Sequence, residues 1–141
     1  MLLRISKIFE FQMAHSLSGY DGKCSNIHGH NYRFVVTLQG QPIDNLNNAK
    51  NGMVIDFGDV KHIVQQKIID IFDHALVVPQ HSPFASIEGT KKVVTDFQPT
   101  SENLLIHFAS LLEGCFPERI ELYSLRLYET DSSYAELICT P

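Results

Sequence analysis

Apolar and polar positions alternate from Leu3 to Ala14: Leu3 and Ile5 share one parity, Ile8 breaks it, and Phe9 and Phe11 restore it. This pattern predicts a strand with one buried face, and the single shift predicts a bulge. Residues Ser16 to Ile27 are rich in Ser, Gly, Asp and Asn and read as a loop. HGHNYRFVVTLQG reads as a second strand ending at Gly40, and QPIDNLNNAKNG as turns. The period then changes. In DFGDVKHIVQQKIIDIF, residues Val60, Ile63, Val64, Ile68, Ile71 and Phe72 recur at helical spacing, with Asp56 or Asp59 as the N-cap. DHALVV follows, Pro79, Pro83 and Gly89 mark a long connection, and KKVVTDF is a candidate short strand. A second helix is predicted over PTSENLLIHFASLLEGCFP, with Thr100 as N-cap, Glu102 in the first turn and Gly114 at the C-terminal end. Its apolar face is Leu104, Leu105, Phe108, Leu111 and Leu112. RIELYSLRLYET and YAELIC then read as a hairpin turning at Asp131 to Ser133.

Each predicted helix has one apolar face. An α+β fold, with both helices packed on one face of a four-stranded, mostly antiparallel sheet, buries both. No repeat or low-complexity tract divides the chain, so one domain over 1–141 is expected. The other sheet face must be covered or solvated, and oligomerisation is a common way to cover it.

The chain has 141 residues and 44% hydrophobic content, too much for a disordered chain. Its net charge of −5 argues against general nucleic-acid binding. Cys24, Cys115 and Cys139 are widely and irregularly spaced, which is no disulfide framework. No stretch resembles a signal peptide or is long and apolar enough to span a membrane. The expectation is a cytoplasmic protein with reduced thiols, and neither nucleic acid nor membrane as partner.

The chemistry concentrates in CSNIHGHNY. On a strand, His28 and His30 point to one face, and His15 ends the preceding strand. If the strands pair, three neutral imidazoles converge, a set that suits zinc with a fourth position open. An HxH by itself is a weak signal, and the spacing alone does not separate a metal site from structural histidines. Cys24, in the connecting loop, is either a zinc-activated thiolate acting as nucleophile or base, or a fourth ligand closing a structural site. Asp73–His74 is either an oriented acid–base pair or an ordinary helix-end feature. Glu129 is either an exposed edge residue or an acceptor for a guanidine-like edge. His62, His81 and His107 read as structural or surface residues.

The ordered set FQMAHSL, CSNIHGHNY, GMVIDFGDVK, FDHALV, PTSEN and LYET resembles the 6-pyruvoyl- and 6-carboxytetrahydropterin synthase family over nearly the whole chain. The resemblance implies the T-fold, with trimers closing a barrel of strands, pairing into homohexamers and carrying active sites between subunits. It implies Zn2+ on His15, His28 and His30, Cys24 as general base, and His74, oriented by Asp73, as proton-transfer partner. Glu129 is implied to hold the pterin edge, with Thr100 and Glu102 also at the substrate. The implied substrate is 7,8-dihydroneopterin triphosphate. The carboxy branch, which feeds queuosine synthesis, is favoured over the pyruvoyl branch, and Cys24 argues against a third branch that has Glu there. Many members carry DHxxLN after the first helix, where this chain runs DHALVVPQHSPF. Lys23, Lys91 and Lys92 are candidate triphosphate contacts only because they are basic and lie in loops.

Overall fold

The structure is a computed structural model that describes residues 1–19 and 25–139. Its strands are β1 (Leu3–His15), β2 (His28–Gly40), β3 (Ala75–Pro79), β4 (Lys92–Thr95), β5 (Glu121–Thr130) and β6 (Ser133–Ile138). They form one six-stranded sheet in the order β4-β3-β1-β2-β5-β6. The expected antiparallel group is present as β1-β2-β5-β6. The expected strand number is corrected: β3 and β4 extend the sheet beyond β1, and both pair in parallel, so the sheet is mixed. All five residues of β3 are buried. A strand buried on both faces has no alternation to read, which is why ALVVP carried no strand signal.

The expected bulge in β1 is absent. β1 pairs with β2 in continuous register from Leu3–Gly40 to His15–His28, and Ile8 is simply exposed on the helix-free face. The irregularities fall instead at Thr37/Leu38, where β2 meets β5, and at Tyr128/Thr130, where β5 meets β6. The last residue of β2, Gly40, has little room for a side chain, because a Cβ there would lie 3.0 Å from Ile120 Cδ1 and 3.2 Å from the Arg119 carbonyl.

The first helical run comprises α1 (Phe57–Val64), a π-helical turn (Gln65–Ile69) and α2 (Asp70–Phe72). Asp56 caps it by accepting from the Gly58 N–H at 2.8 Å. The π turn advances the buried face by a position. Ile68, Ile69 and Phe72 face inward, and Ile71, predicted to be buried, is 41% exposed. Helix α3 (Ser101–Leu112) is capped by Thr100, whose hydroxyl accepts from Asn103 N–H. It ends before Gly114, whose φ of +71° is the left-handed conformation that closes many helices. Both helical runs lie on one face of the sheet, α3 across β5 and β6 and the first run over β1. Phe108 on α3 joins the layers, with ring centroids 5.0 Å from Phe72, 5.2 Å from Phe34 and 6.5 Å from Phe11. The other sheet face carries stacked cations: Arg33 over Tyr128, Arg126 over Tyr134 and Arg4 over Tyr123.

Candidate metal centre and acid–base pair

His15 and His28 are direct partners across β1 and β2, and His30 pairs with Met13. All three side chains therefore project to the helix-covered face, at the end of the sheet where the core stops. Their ring centroids are 4.5 to 5.3 Å apart, and one nitrogen from each lies within 4.8 Å of the others. The expectation that the chain brings these three together holds. Gly29 between them is not demanded by packing in one chain, since an added Cβ would meet only Met13 O at 3.6 Å.

The hydrogen bonds fix the tautomers. His15 Nδ1 donates to the Pro99 carbonyl at 2.7 Å, and His28 Nδ1 donates to the Asn26 carbonyl at 2.8 Å. A carbonyl only accepts, so each neutral ring carries its proton on Nδ1 and a lone pair on Nε2. These two Nε2 atoms face each other at 3.0 Å. Two lone pairs at that distance repel unless a cation or a proton lies between them. His30 Nε2 stands 3.1 Å from Glu129 Oε1 without hydrogen-bond geometry, and is buried with no hydrogen-bond partner among the described residues. Burial pushes His15 below the ordinary histidine range despite the opposing bond to Pro99, and it also lowers His30 against the pull of Glu129. Three converging imidazoles, two of them oriented by carbonyls, are a donor set that a divalent transition metal takes.

Glu129 lies at the β5 irregularity, and its carboxylate reaches His30 and Ser101. Its Oε2 accepts from the buried Ser101 hydroxyl at 2.9 Å. Ser101, Gln98 and Pro99 were not singled out from the sequence. Yet residues 98–101 orient His15, hold Glu129 and, through the Gln98 side-chain amide, bond both the N–H and the carbonyl of Ser18. A Gln before a Pro-Thr helix start carries no periodic signal, so only tertiary geometry reveals it. Thr100 uses its hydroxyl as the helix cap, and Glu102 is exposed in the first turn. Cys24 and Lys23 lie outside the described residues.

Asp73 and His74 follow α2. Asp73 Oδ1 lies 2.9 Å from His74 Nδ1 and accepts from the Gln12 N–H at 3.0 Å. Burial alone would raise the Asp73 carboxyl, but the Gln12 N–H, the His74 ring and Lys91 outweigh it and hold it low. His74 is the single non-glycine with positive φ, +61°, among the described residues, a conformation that costs an L-residue about 1–2 kcal/mol. Its exposed ring lines a concavity that Met13 and His30 also border, together with Gln12, Ala14, Gly29 and Asn31. These four positions alternate with Met13, His15, His28 and His30 along β1 and β2, so they belong to the opposite face. Within one chain, the acid–base pair and the three-histidine cluster therefore face opposite sides of the sheet. Of the candidate lysines, Lys91 and Lys92 each donate to two main-chain carbonyls.

The sequence profile of the 6-pyruvoyl tetrahydropterin synthase family matches residues 4–138. The chain belongs to that family. Among curated members of the family, a 6-carboxy-5,6,7,8-tetrahydropterin synthase of Haemophilus influenzae is 37% identical, over 96% of this chain and 98% of its own. A 6-pyruvoyl tetrahydrobiopterin synthase of Pongo abelii is 34% identical over 79% of this chain and 68% of its own. Among solved structures of the family, 6-pyruvoyl tetrahydropterin synthase of Caenorhabditis elegans superposes with a TM-score of 0.72 at 25% identity, covering 99% of this chain and 97% of that one. The T-fold of this synthase family is thus the fold of this chain. The three histidines lying close together are compatible with a metal site in it. No helix among the described residues is long and apolar enough to cross a membrane.

Proposed function

We propose that this protein is a zinc-dependent synthase of the carboxy-forming branch. It converts 7,8-dihydroneopterin triphosphate to 6-carboxy-5,6,7,8-tetrahydropterin, releasing acetaldehyde and triphosphate, as a lyase in the cytoplasm supplying queuosine synthesis. The observation that carries the reading is the convergence of His15, His28 and His30 beside Glu129, in a chain alignable nearly end to end with a 6-carboxytetrahydropterin synthase.

Bound by Nε2 of His15 and His28 and the orphaned Nε2 of His30, zinc would supply Lewis acidity at the hydroxyls of the substrate side chain. Glu129, already held by Ser101, accepts from the amino and ring N–H edge of the pterin. Thr100 and Glu102 lie at that same end. Cys24 removes the carbon-bound proton as a thiolate. With its Nδ1 turned to Asp73, His74 is left with Nε2 as the atom that takes up and delivers the proton. Supporting an intersubunit site is the opposite-face arrangement: the His74 of one chain serves the histidines of a neighbour, in a homohexamer of single-domain chains spanning 1–141. The net charge of −5 and the small-molecule chemistry fit neither nucleic acid nor membrane as partner.

The pyruvoyl branch is the second reading, favoured by the Pongo abelii relative. The test is incubation of zinc-loaded protein with 7,8-dihydroneopterin triphosphate, with product mass and trapped aldehyde as readouts. A carboxypterin with acetaldehyde is expected. A pyruvoyl product without acetaldehyde moves the protein to the other branch, and no product from zinc-loaded protein contradicts both.

A further inference from the structure

The chemistry proposed above makes no use of the connection from β3 to β4. Lys92, at its end, donates to the carbonyls of Ala85 and Ile87 and so secures the connection itself. Lys91 reaches elsewhere. Its Nζ donates to the carbonyl of Asp70 at 2.7 Å and to that of Asp73 at 2.8 Å. Both carbonyls lie where the helical run ends and no further turn supplies donors. A cation there also meets the negative end of the helix dipole.

The Asp73 carbonyl belongs to the peptide group that joins Asp73 to His74. The N–H of that same peptide group, on His74, donates to the Gln12 carbonyl at 2.6 Å. The peptide is therefore held at both poles, by Lys91 on its oxygen and by β1 on its nitrogen. Its plane sets ψ of Asp73 and φ of His74. Without the oxygen-side hold, rotation of this one plane would let His74 leave its left-handed conformation and take its ring off the Asp73 carboxylate. Bonds from an ammonium are stronger than those from neutral donors, which suits a hold on a strained turn.

We infer that Lys91 is a positioning residue for His74, clamping the Asp73–His74 peptide in the turn that aims the imidazole. The role of His74 in turnover rests on the function proposed above; the clamp itself does not.

The experiment uses full-length, zinc-loaded protein with 15N-labelled histidine. Lys91→Met keeps the aliphatic stem and removes the donors, and Lys91→Arg keeps a charged donor. In wild type the His74 ring shows one tautomer, protonated on Nδ1. Lys91→Met is expected to give an averaged tautomer and to lower kcat roughly ten- to a hundredfold, the scale of a misplaced catalytic group. KM and bound zinc stay near wild type, and Lys91→Arg restores both the tautomer and most of the rate. An unchanged His74 spectrum in Lys91→Met overturns the inference. So does a lower melting temperature with kcat unaltered, which would make Lys91 a merely stabilising residue. If wild type turns over no substrate, the proposed function fails, and the His74 spectrum alone decides the clamp.

Discussion

His15 and His28 stand directly opposite each other on neighbouring strands, their Nε2 atoms 3.0 Å apart, while each ring's proton is committed to a carbonyl on its far side. Backbone pairing thus forces two lone pairs together, and folding sets up an electrostatic cost that a bound cation removes.

That arrangement predicts a strong, stabilising metal site. Zinc at a hundredfold over its dissociation constant should raise unfolding free energy by about 2.7 kcal/mol. His15→Ala should abolish both stoichiometric zinc and the zinc-induced rise in melting temperature. Full zinc retention by this variant after dialysis would contradict the site.

The same burial makes the metal-free protein acid-sensitive. The folded pKa values of His15, His30 and His107 are lowered, chiefly by burial. Below the ordinary histidine value of about 6.5, the unfolded chain therefore binds more protons than the folded one. Stability is complete above that pH and falls as pH drops through the window beneath it. Urea midpoints of the metal-free protein should decline from pH 7 to pH 5, and His15→Asn should flatten the decline.

Gln98 holds Ser18 by two hydrogen bonds, and the Ser16 hydroxyl donates to the Ser25 carbonyl across the same loop. At about 0.5–1.5 kcal/mol net for each bond, Gln98→Ala should cost roughly 1–3 kcal/mol. Because this loop carries Cys24, turnover should fall with zinc retained. Wild-type turnover in the variant would detach the clamp from catalysis.

Phe108 joins both helical runs to the sheet and is fully buried. Phe108→Ala should destabilise the protein by about 3–5 kcal/mol, read from urea unfolding. A loss below 1 kcal/mol would mean that the layers can close over the gap.

Local patterns were legible in the sequence wherever one face of an element meets the core. β1, β2, the hairpin of β5 and β6, the Asp56 and Thr100 caps and the Gly114 stop all follow from alternation or cap chemistry. β3 was not legible because both its faces are buried, and the π turn was not because an inserted residue changes phase without changing composition. The three histidines could be placed together from strand alternation, since pairing β1 with β2 is enough to bring them close. Gln98, Pro99, Ser101 and Lys91 act through bonds to residues at least 18 positions away, and no sequence period encodes such contacts. The opposite-face placement of His74 likewise depends on β3 lying beside β1 in parallel.

The most direct test of a metal site completed by a neighbouring chain is complementation between two inactive variants. His15→Ala keeps an intact acid–base pair, and His74→Ala keeps an intact histidine cluster. Mixed one to one by co-refolding, sites shared between chains should regain about a quarter of wild-type turnover of 7,8-dihydroneopterin triphosphate, because one arrangement in four unites the intact halves. A mixture with no turnover, from variants that co-assemble, would contradict the account.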